Sequence, residues 1–400
     1  MDSIKYLLSI ETRGIKLGFQ RTREMMAACK NPHSGLPVIQ VAGTNGKGSV
    51  SAIISNILKN AGYKTGLFTS PHLVHVNERI RINGSSISDK EIDLFIKSYK
   101  TDIEKIEATF FETITAMAFW YFKKEGVEIA IMETGLGGRL DSVSICDPLV
   151  TIITPISHDH MEILGETLAE IAFEKAGAMK KNVVCISAKQ DSAATKVLSE
   201  QADKVKAPIH FLDGERLPDY HINIPGETQR ENAHLAVSAL SHINGFNIPK
   251  EAVVKGLQTV QWFGRNQILQ KNPLAVFDVA HNLESLRCFL DFYDTLKIHG
   301  DSVLVIALQA RKRIQMLIPR LQSVFRYIIC TETNGNNPMA AETLLSDFVD
   351  SPNAEIIQNP ENAIRSGLER LSPEGGMAIV GTHCLGPAVS AIFKLSFDKF

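Results

Sequence analysis

Pro37-Val38-Ile39-Gln40-Val41-Ala42-Gly43-Thr44-Asn45-Gly46-Lys47-Gly48-Ser49 is an apolar run that empties into a glycine-rich turn carrying a lysine and two hydroxyls. Residues 37–42 read as a buried strand and residues 48–61 as a helix. Glycines between them let backbone amides turn inward around phosphate oxygens, while Lys47 supplies a point charge. The helix beginning near Ser49 adds the partial positive charge of its N-terminus. This is a site for a nucleoside triphosphate. The general pattern G-x-x-x-x-G-K-[ST] is met imperfectly, because Val41 stands where the first glycine belongs and Gly48 separates Lys47 from Ser49. A ligand-free strand-to-helix turn is the competing reading, and the flanking strand and helix weigh against it.

Outward from this turn, strand-like runs at 64–68, 127–132, 149–154 and 182–187 alternate with helical patterns near 111–124, 167–178 and 229–243. A second alternation has strands near 274–278, 302–308, 325–330 and 376–381, with helices near 283–296, 312–322, 339–349 and 360–371. The pattern is α/β: a P-loop parallel-sheet ATPase domain followed by a smaller Rossmann-like α/β domain. The boundary is placed at 260/261, giving domains 1–260 and 261–400, with the linker inside Gly256 to Asn272.

Size and charge agree with this division. The 400 residues exceed what one core usually organises. A formal charge of −2 offers no basic stripe for nucleic acid and no polybasic patch for a membrane surface, which points to small-molecule substrates. Six cysteines (Cys29, Cys146, Cys185, Cys288, Cys330 and Cys384) show no paired spacing and suit a reducing cytoplasm. No run approaches the ~18 apolar residues of a membrane span, and Met1 to Gly14 lack a continuous apolar segment after a basic start, so no signal peptide is expected. A cytoplasmic, unprocessed monomer is expected.

Two further clusters lie where strands should end, the edge at which open α/β sheets bind ligands. Glu133 precedes Thr134-Gly135-Leu136-Gly137-Gly138-Arg139-Leu140-Asp141. A carboxylate there suits Mg²⁺, which takes few hard oxygen ligands beside phosphates and water. It also suits a plain capping role, and Arg139 an ordinary ion pair. Ser157-His158-Asp159-His160 follows the next strand and suits zinc or a hydrolase, and no less a plain hydrogen-bonded turn. Lys175 by default is a solvated helix lysine beside Glu170 and Glu174.

Taken together, Gly43 through Ser49, Thr69-Ser70-Pro71-His72-Leu73, Glu78-Arg79-Ile80, Phe111-Glu112 with Thr115-Ala116, Glu133 through Asp141, Asp159-His160 and Glu174-Lys175-Ala176-Gly177 resemble folylpolyglutamate synthase and dihydrofolate synthase, enzymes of the Mur ligase superfamily. Motifs are dense to about residue 180 and thinner beyond. The resemblance implies a Mur-ligase central-type ATP domain and a C-terminal glutamate ligase domain. A folate-type carboxylate would take the γ-phosphate of ATP, and glutamate would displace phosphate from the acyl phosphate. Positioning and charge neutralisation carry such a reaction.

Residue by residue, the resemblance implies ATP contacts from Thr44, Asn45, Gly46, Lys47, Gly48, Ser49, Asn232, Arg265 and Asp278. It implies Mg²⁺ ligation, with two ions, by Ser70, Glu133 and His160, and by Lys175 if that lysine is carbamylated. Phe111 and Asp141 would face the pterin, and His281, in Asp278-Val279-Ala280-His281-Asn282, the incoming glutamate. Lys47, His160, Lys175 and His281 are the catalytic candidates, with dihydropteroate or folate and L-glutamate as substrates. ATP is expected between the two domains, which would close on it.

Departures from the family pattern gather after residue 220. Thr228 replaces a histidine, Phe263 a proline, Gln267 a glutamate, Val279 a glycine and Leu283 a proline, and Gly381-Thr382 stands for a glycine and serine. Arg311-Lys312-Arg313 reverses the charge of acidic residues that flank a lysine. These leave room for a ligase of another carboxylate or amino acid, or for a silent nucleotide-binding homologue. A GTPase or kinase is disfavoured by the lack of an N-K-x-D motif and of a kinase signature set.

Overall fold

In the computed structural model, which describes residues 2–213, 217–335 and 337–399, the chain divides into two compact units. The first comprises residues 1–223, 229–261 and 398–400, and the second residues 224–228 and 262–397.

The first unit holds an eight-stranded sheet: β1 Val38–Ala42, β2 Thr65–Phe68, β3 Ile80–Ile82, β4 Ser85–Ser86, β5 Ile129–Glu133, β6 Val150–Ile153, β7 Val184–Ala188 and β8 Ile209–Leu212. Their order is β4-β3-β2-β5-β1-β6-β7-β8. The pairs from β2 to β8 are parallel, whereas β3 runs antiparallel to β2 and to β4. The sheet is therefore mixed rather than wholly parallel, with the two-stranded extension too short to show as periodicity. β1, β5 and β6 are buried along their whole length, which explains their near-continuous apolar sequence.

One face carries a core of Met25, Met26, Phe68, Phe95, Phe119 and Phe122, and the other packs Ile153, Ile171, Ala176 and Leu198 under the helices Leu168–Ala176 and Ser192–Val205. The helix that follows β1, Lys47–Asn60, is clasped by Lys250–Thr259, where Asn56 Nδ2 donates to Gly256 O at 2.7 Å and Thr259 Oγ1 at 3.0 Å.

The second unit is a six-stranded sheet of β9 Gln267–Lys271, β10 Leu274–Asp278, β11 Ser302–Ile306, β12 Tyr327–Cys330, β13 Ala354–Ile356 and β14 Gly376–Val380, ordered β13-β12-β11-β14-β10-β9. Only β9 is antiparallel. Two sequence expectations change here. The stretch 256–272 is not all linker: its first residues finish the helix Lys250–Thr259 and Gln267–Lys271 form the edge strand, leaving 260–266 as the connection. The helix expected over 312–322 forms only at Ile318–Val324, after one 3₁₀ turn at Gln315–Leu317. Among the described residues no helix is long and apolar enough to cross a membrane.

A candidate phosphate and carboxylate site at the sheet edge

β5, β1 and β6 are neighbours, so their carboxyl ends bring together three loops, 134–141, 43–46 and 154–160. Chain order diverges from β1 toward both sides, the position where a crevice opens in such sheets. The turn after β1 is fixed by its neighbours. Thr44 N and Asn45 N donate to Pro155 O at 3.0 and 3.3 Å, and Thr44 Oγ1 accepts from Ser157 N at 3.1 Å. Asn45 Nδ2 donates to Ser157 Oγ at 3.2 Å. Two amides expected to face a phosphate thus turn to the β6 loop.

Gly46 is in the left-handed region at φ 90° and heads the helix Lys47–Asn60 with no side-chain cap, so the amides of the first turn lack intrahelical partners. A Cβ on Gly46 would sit 2.4 Å from Asn232 Oδ1, which shows how closely the buried Asn232 lies against the turn. Asn232 Nδ2 donates to Gln229 Oε1 at 3.1 Å. Lys47 Nζ donates to Thr44 O at 3.0 Å and stands 4.0 Å from Glu133 Oε1. Ser49 Oγ is fully buried with no hydrogen-bond partner, a costly state unless a ligand meets it.

Glu133, buried at the end of β5, accepts the Ser70 amide at 3.1 Å. The segment bearing Ser70 is shaped by Glu78, whose carboxylate accepts the amides of Leu73 (2.9 Å), Val74 (2.9 Å) and His75 (2.7 Å). Arg79 Nε donates to His72 Nδ1 at 2.8 Å, and burial together with Arg79 lowers the His72 pKa to about 3, so its ring is a neutral acceptor. Glu78 and Arg79, which their sequence context leaves without a role, hold the Ser70 loop.

Lys175 is not the solvated lysine that its helix suggests. It is buried and donates to Gly43 O at 2.6 Å. Glu170 turns back to cap Thr167 in a capping box, and Glu174 pairs with Arg139 at 2.8 Å. Desolvation first, then Lys47, lowers the Lys175 pKa to about 7, against the pull of Asp159 and Asp141. Asp141 is buried as well, with Oδ2 accepting Leu136 N at 2.8 Å and Oδ1 accepting Val143 N at 2.9 Å. Burial raises its pKa to about 6, although amides of Leu136, Val143 and Gly135 and the charge of Lys47 oppose this. The Phe111 ring lies over this loop, since a Cβ on Gly135 would come within 2.4 Å of it.

His160 has an exposed side chain and sits at φ 51° ahead of the short helix Met161–Leu164, its amide bonded to Asp159 Oδ1 at 2.9 Å. Among the described residues no group of three or more His, Cys, Asp or Glu side chains is assembled for a metal.

In the second unit, β10 ends at the buried Asp278, which accepts the amides of Asn266 (2.7 Å) and Ala280 (2.8 Å). Burial raises its pKa, with the charge of Arg265 foremost in opposition. His281 Nδ1 lies 2.9 Å from Val279 O, and its ring is 5.9 Å from that of His383 at the end of the adjacent β14. Gln267, where a glutamate was expected, accepts the Gly264 amide at 2.9 Å. Arg311 and Arg313 are both exposed.

Comparison with known proteins sets these features in context. Residues 41–182 match the Mur ligase middle domain, and residues 264–383 match the Mur ligase, glutamate ligase domain. A dihydrofolate synthase/folylpolyglutamate synthase of Bacillus subtilis is 34% identical over 384 residues, covering 88% of this chain and 89% of that protein. A dihydrofolate synthase/folylpolyglutamate synthase of Buchnera aphidicola is 30% identical over 363 residues, covering 86% and 84%. The solved structure of E. coli FolC in complex with DHPP and ADP superposes with a TM-score of 0.90 at 26% identity, covering 98% of each chain. A bifunctional folylpolyglutamate synthase/dihydrofolate synthase of Yersinia pestis, complexed with AMPPNP and a Mn ion, superposes with a TM-score of 0.88 at 26% identity over 99% of this chain and 98% of that one.

Proposed function

The chain belongs to the folylpolyglutamate synthase/dihydrofolate synthase family of Mur ligases, and from that premise we propose how its residues divide the work of an ATP-dependent ligase that joins L-glutamate to the carboxylate of dihydropteroate and of folates. The observation that carries the assignment is the convergence on one sheet edge of Lys47, Glu133, the partnerless Ser49 hydroxyl and the Asp141 loop.

A carboxylate is a poor electrophile at neutral pH. Its oxygen attacks the γ-phosphorus of ATP, ADP leaves, and the acyl phosphate then loses inorganic phosphate to the attacking amino group, which sheds a proton and becomes the amide nitrogen. Lys47, beside the uncapped helix N-terminus, neutralises charge on the transferred phosphoryl, and the amides from Gly46 to Ser49 orient it. Thr44 and Asn45 act through side chains that lock the turn, and Asn232 bounds it from the other side.

The donor set fits a hard divalent ion: the Glu133 carboxylate, the Ser70 hydroxyl and the buried Ser49 hydroxyl are all oxygens. When bound, Mg²⁺ would supply charge neutralisation for the transferred phosphoryl group. His160 is assigned to Mg²⁺ with Ser70 and Glu133. Lys175, buried with a pKa near neutrality, is available as the free amine that carbamylation requires, and its carbamate would help hold a second ion. Phe111 and Asp141 are assigned to the pterin end, and Arg265, Asp278 and His281 to ATP and glutamate. The same reading makes the protein a cytoplasmic monomer, a compartment supported by the scattered, unpaired spacing of its six cysteines along the chain.

The test uses dihydropteroate labelled with ¹⁸O in the carboxylate. One labelled oxygen is expected in the released phosphate for each amide formed. Label retained wholly in the product, or absent from phosphate, would overturn the acyl-phosphate route.

A further inference from the structure

Away from the sheet-edge site, the outermost strand β8 carries His210, whose ring centroid lies 5.3 Å from that of His242, 32 residues on. His242 follows the C-terminus of the helix Glu227–Leu240. Both belong to the first unit; His210 is exposed and His242 partly so.

His242 Nδ1 is 2.9 Å from Ser238 O and 3.1 Å from Ser241 Oγ. A carbonyl oxygen only accepts, so Nδ1 carries the proton and Nε2 keeps its lone pair in the neutral ring. A histidine whose other nitrogen donates to a carbonyl is the usual arrangement for an oriented metal ligand. The spacing agrees. Two imidazoles bound to one ion through metal–nitrogen bonds of about 2.0–2.1 Å have centroids roughly 4.5 Å apart at the right angle of Cu²⁺ or Ni²⁺ and roughly 5 Å apart at a tetrahedral angle.

We propose that His210 and His242 form a two-histidine site for a late first-row divalent cation, Cu²⁺, Ni²⁺ or Zn²⁺, whose other positions are filled by water on the open side. Imidazole nitrogen selects these ions over Mg²⁺, so the site takes a different cation from the oxygen donors at Glu133. A bound ion would tie the edge strand β8 to the helix end and stabilise the folded chain by mass action.

The test is electron paramagnetic resonance of the full chain with substoichiometric Cu²⁺, beside an Ni²⁺ titration followed by thermal unfolding. Wild type is expected to show hyperfine coupling to two equivalent imidazole nitrogens and a saturable rise in Tm. His210→Ala and His242→Ala, each at a surface position, should each abolish the two-nitrogen pattern and weaken Ni²⁺ binding by roughly tenfold or more, the weight of a lost ligand. His299→Ala, a surface histidine elsewhere, should change neither. Copper bound through the same nitrogens in either histidine variant, or Ni²⁺ affinity unmoved by both, would overturn the site. Glutamate ligation with Mg²⁺ and ATP should be unaltered in both variants, so this result does not depend on the ligase assignment.

Discussion

Lys175 Nζ donates a 2.6 Å hydrogen bond to the carbonyl oxygen of Gly43, joining the helix Leu168–Ala176 to the first residue of the turn that follows β1. The bond places a buried amine behind the phosphate turn, near enough to Lys47 for each charge to oppose the other. Its pKa of about 7 follows from that placement, because burial and a like charge both disfavour the ammonium form.

That placement sets a pH dependence of stability. Unfolded, Lys175 titrates near its ordinary 10.5, and folded at about 7. Between these values the unfolded chain binds the proton that the folded chain has lost, so the contribution of Lys175 to stability rises with pH, is complete above 10.5, and disappears as pH falls through 7. In CO₂-free buffer, the unfolding free energy of wild type minus that of Lys175→Met should increase from pH 7 upward. Urea denaturation at several pH values checks this; a difference that is flat or falling with pH contradicts the depressed pKa.

Lys47→Ala removes one hydrogen bond, to Thr44 O, and a contact with Glu133 at 4.0 Å. The stability cost should be only about 0.5–1.5 kcal/mol. Turnover should fall by roughly 10²- to 10³-fold or more, because a positioned charge on the transferring phosphoryl is lost. Thermal unfolding and steady-state phosphate release measure the two effects, and near-normal turnover coupled to ligation would refute the role given to Lys47.

Glu78 supports the Ser70 loop by accepting three amides. Glu78→Ala strands those donors, and since some will find water the loss should be about 2–4 kcal/mol. Because Ser70 lies on that loop, the Mg²⁺ concentration for half-maximal rate should rise. An unchanged Mg²⁺ requirement in a folded Glu78→Ala protein would separate Ser70 from the metal.

Asp141 ties the loop 134–141, through Oδ2 and Leu136 N, to the 3₁₀ turn Ser142–Ile145, through Oδ1 and Val143 N. In Asp141→Asn one of the two amides faces an NH₂ group, at a cost of about 1–3 kcal/mol. The KM for the pterin acid should increase while that for ATP stays near wild type. Equal increases in both would assign Asp141 to the turn rather than to the substrate.

Much of the first unit was legible because β1, β5 and β6 are buried on both faces and write themselves as apolar runs between glycine turns. The edge strand β9 was not, since Gln267-Ile268-Leu269-Gln270-Lys271 is half solvated and reads as linker. Ile80-Arg81-Ile82 is too short to show a period. In the site, Gly43 to Ser49 declared itself by local pattern, whereas Lys175 looks ordinary in its helix and acquires meaning only when β1 and that helix meet. Glu78 is similar: acceptance of three successive amides is a property of folded backbone. His210 and His242 carry no sequence signal at all, their approach being set by how β8 and the helix Glu227–Leu240 pack.

The most direct measurement is phosphate release from ATP with Mg²⁺ and L-glutamate, comparing dihydropteroate, tetrahydrofolate and no acid acceptor, with products identified by mass. The account predicts release that requires a pterin acid and glutamate and yields one glutamyl adduct per phosphate. Measurable ATP binding with no acid-dependent release and no adduct from either acid would contradict it.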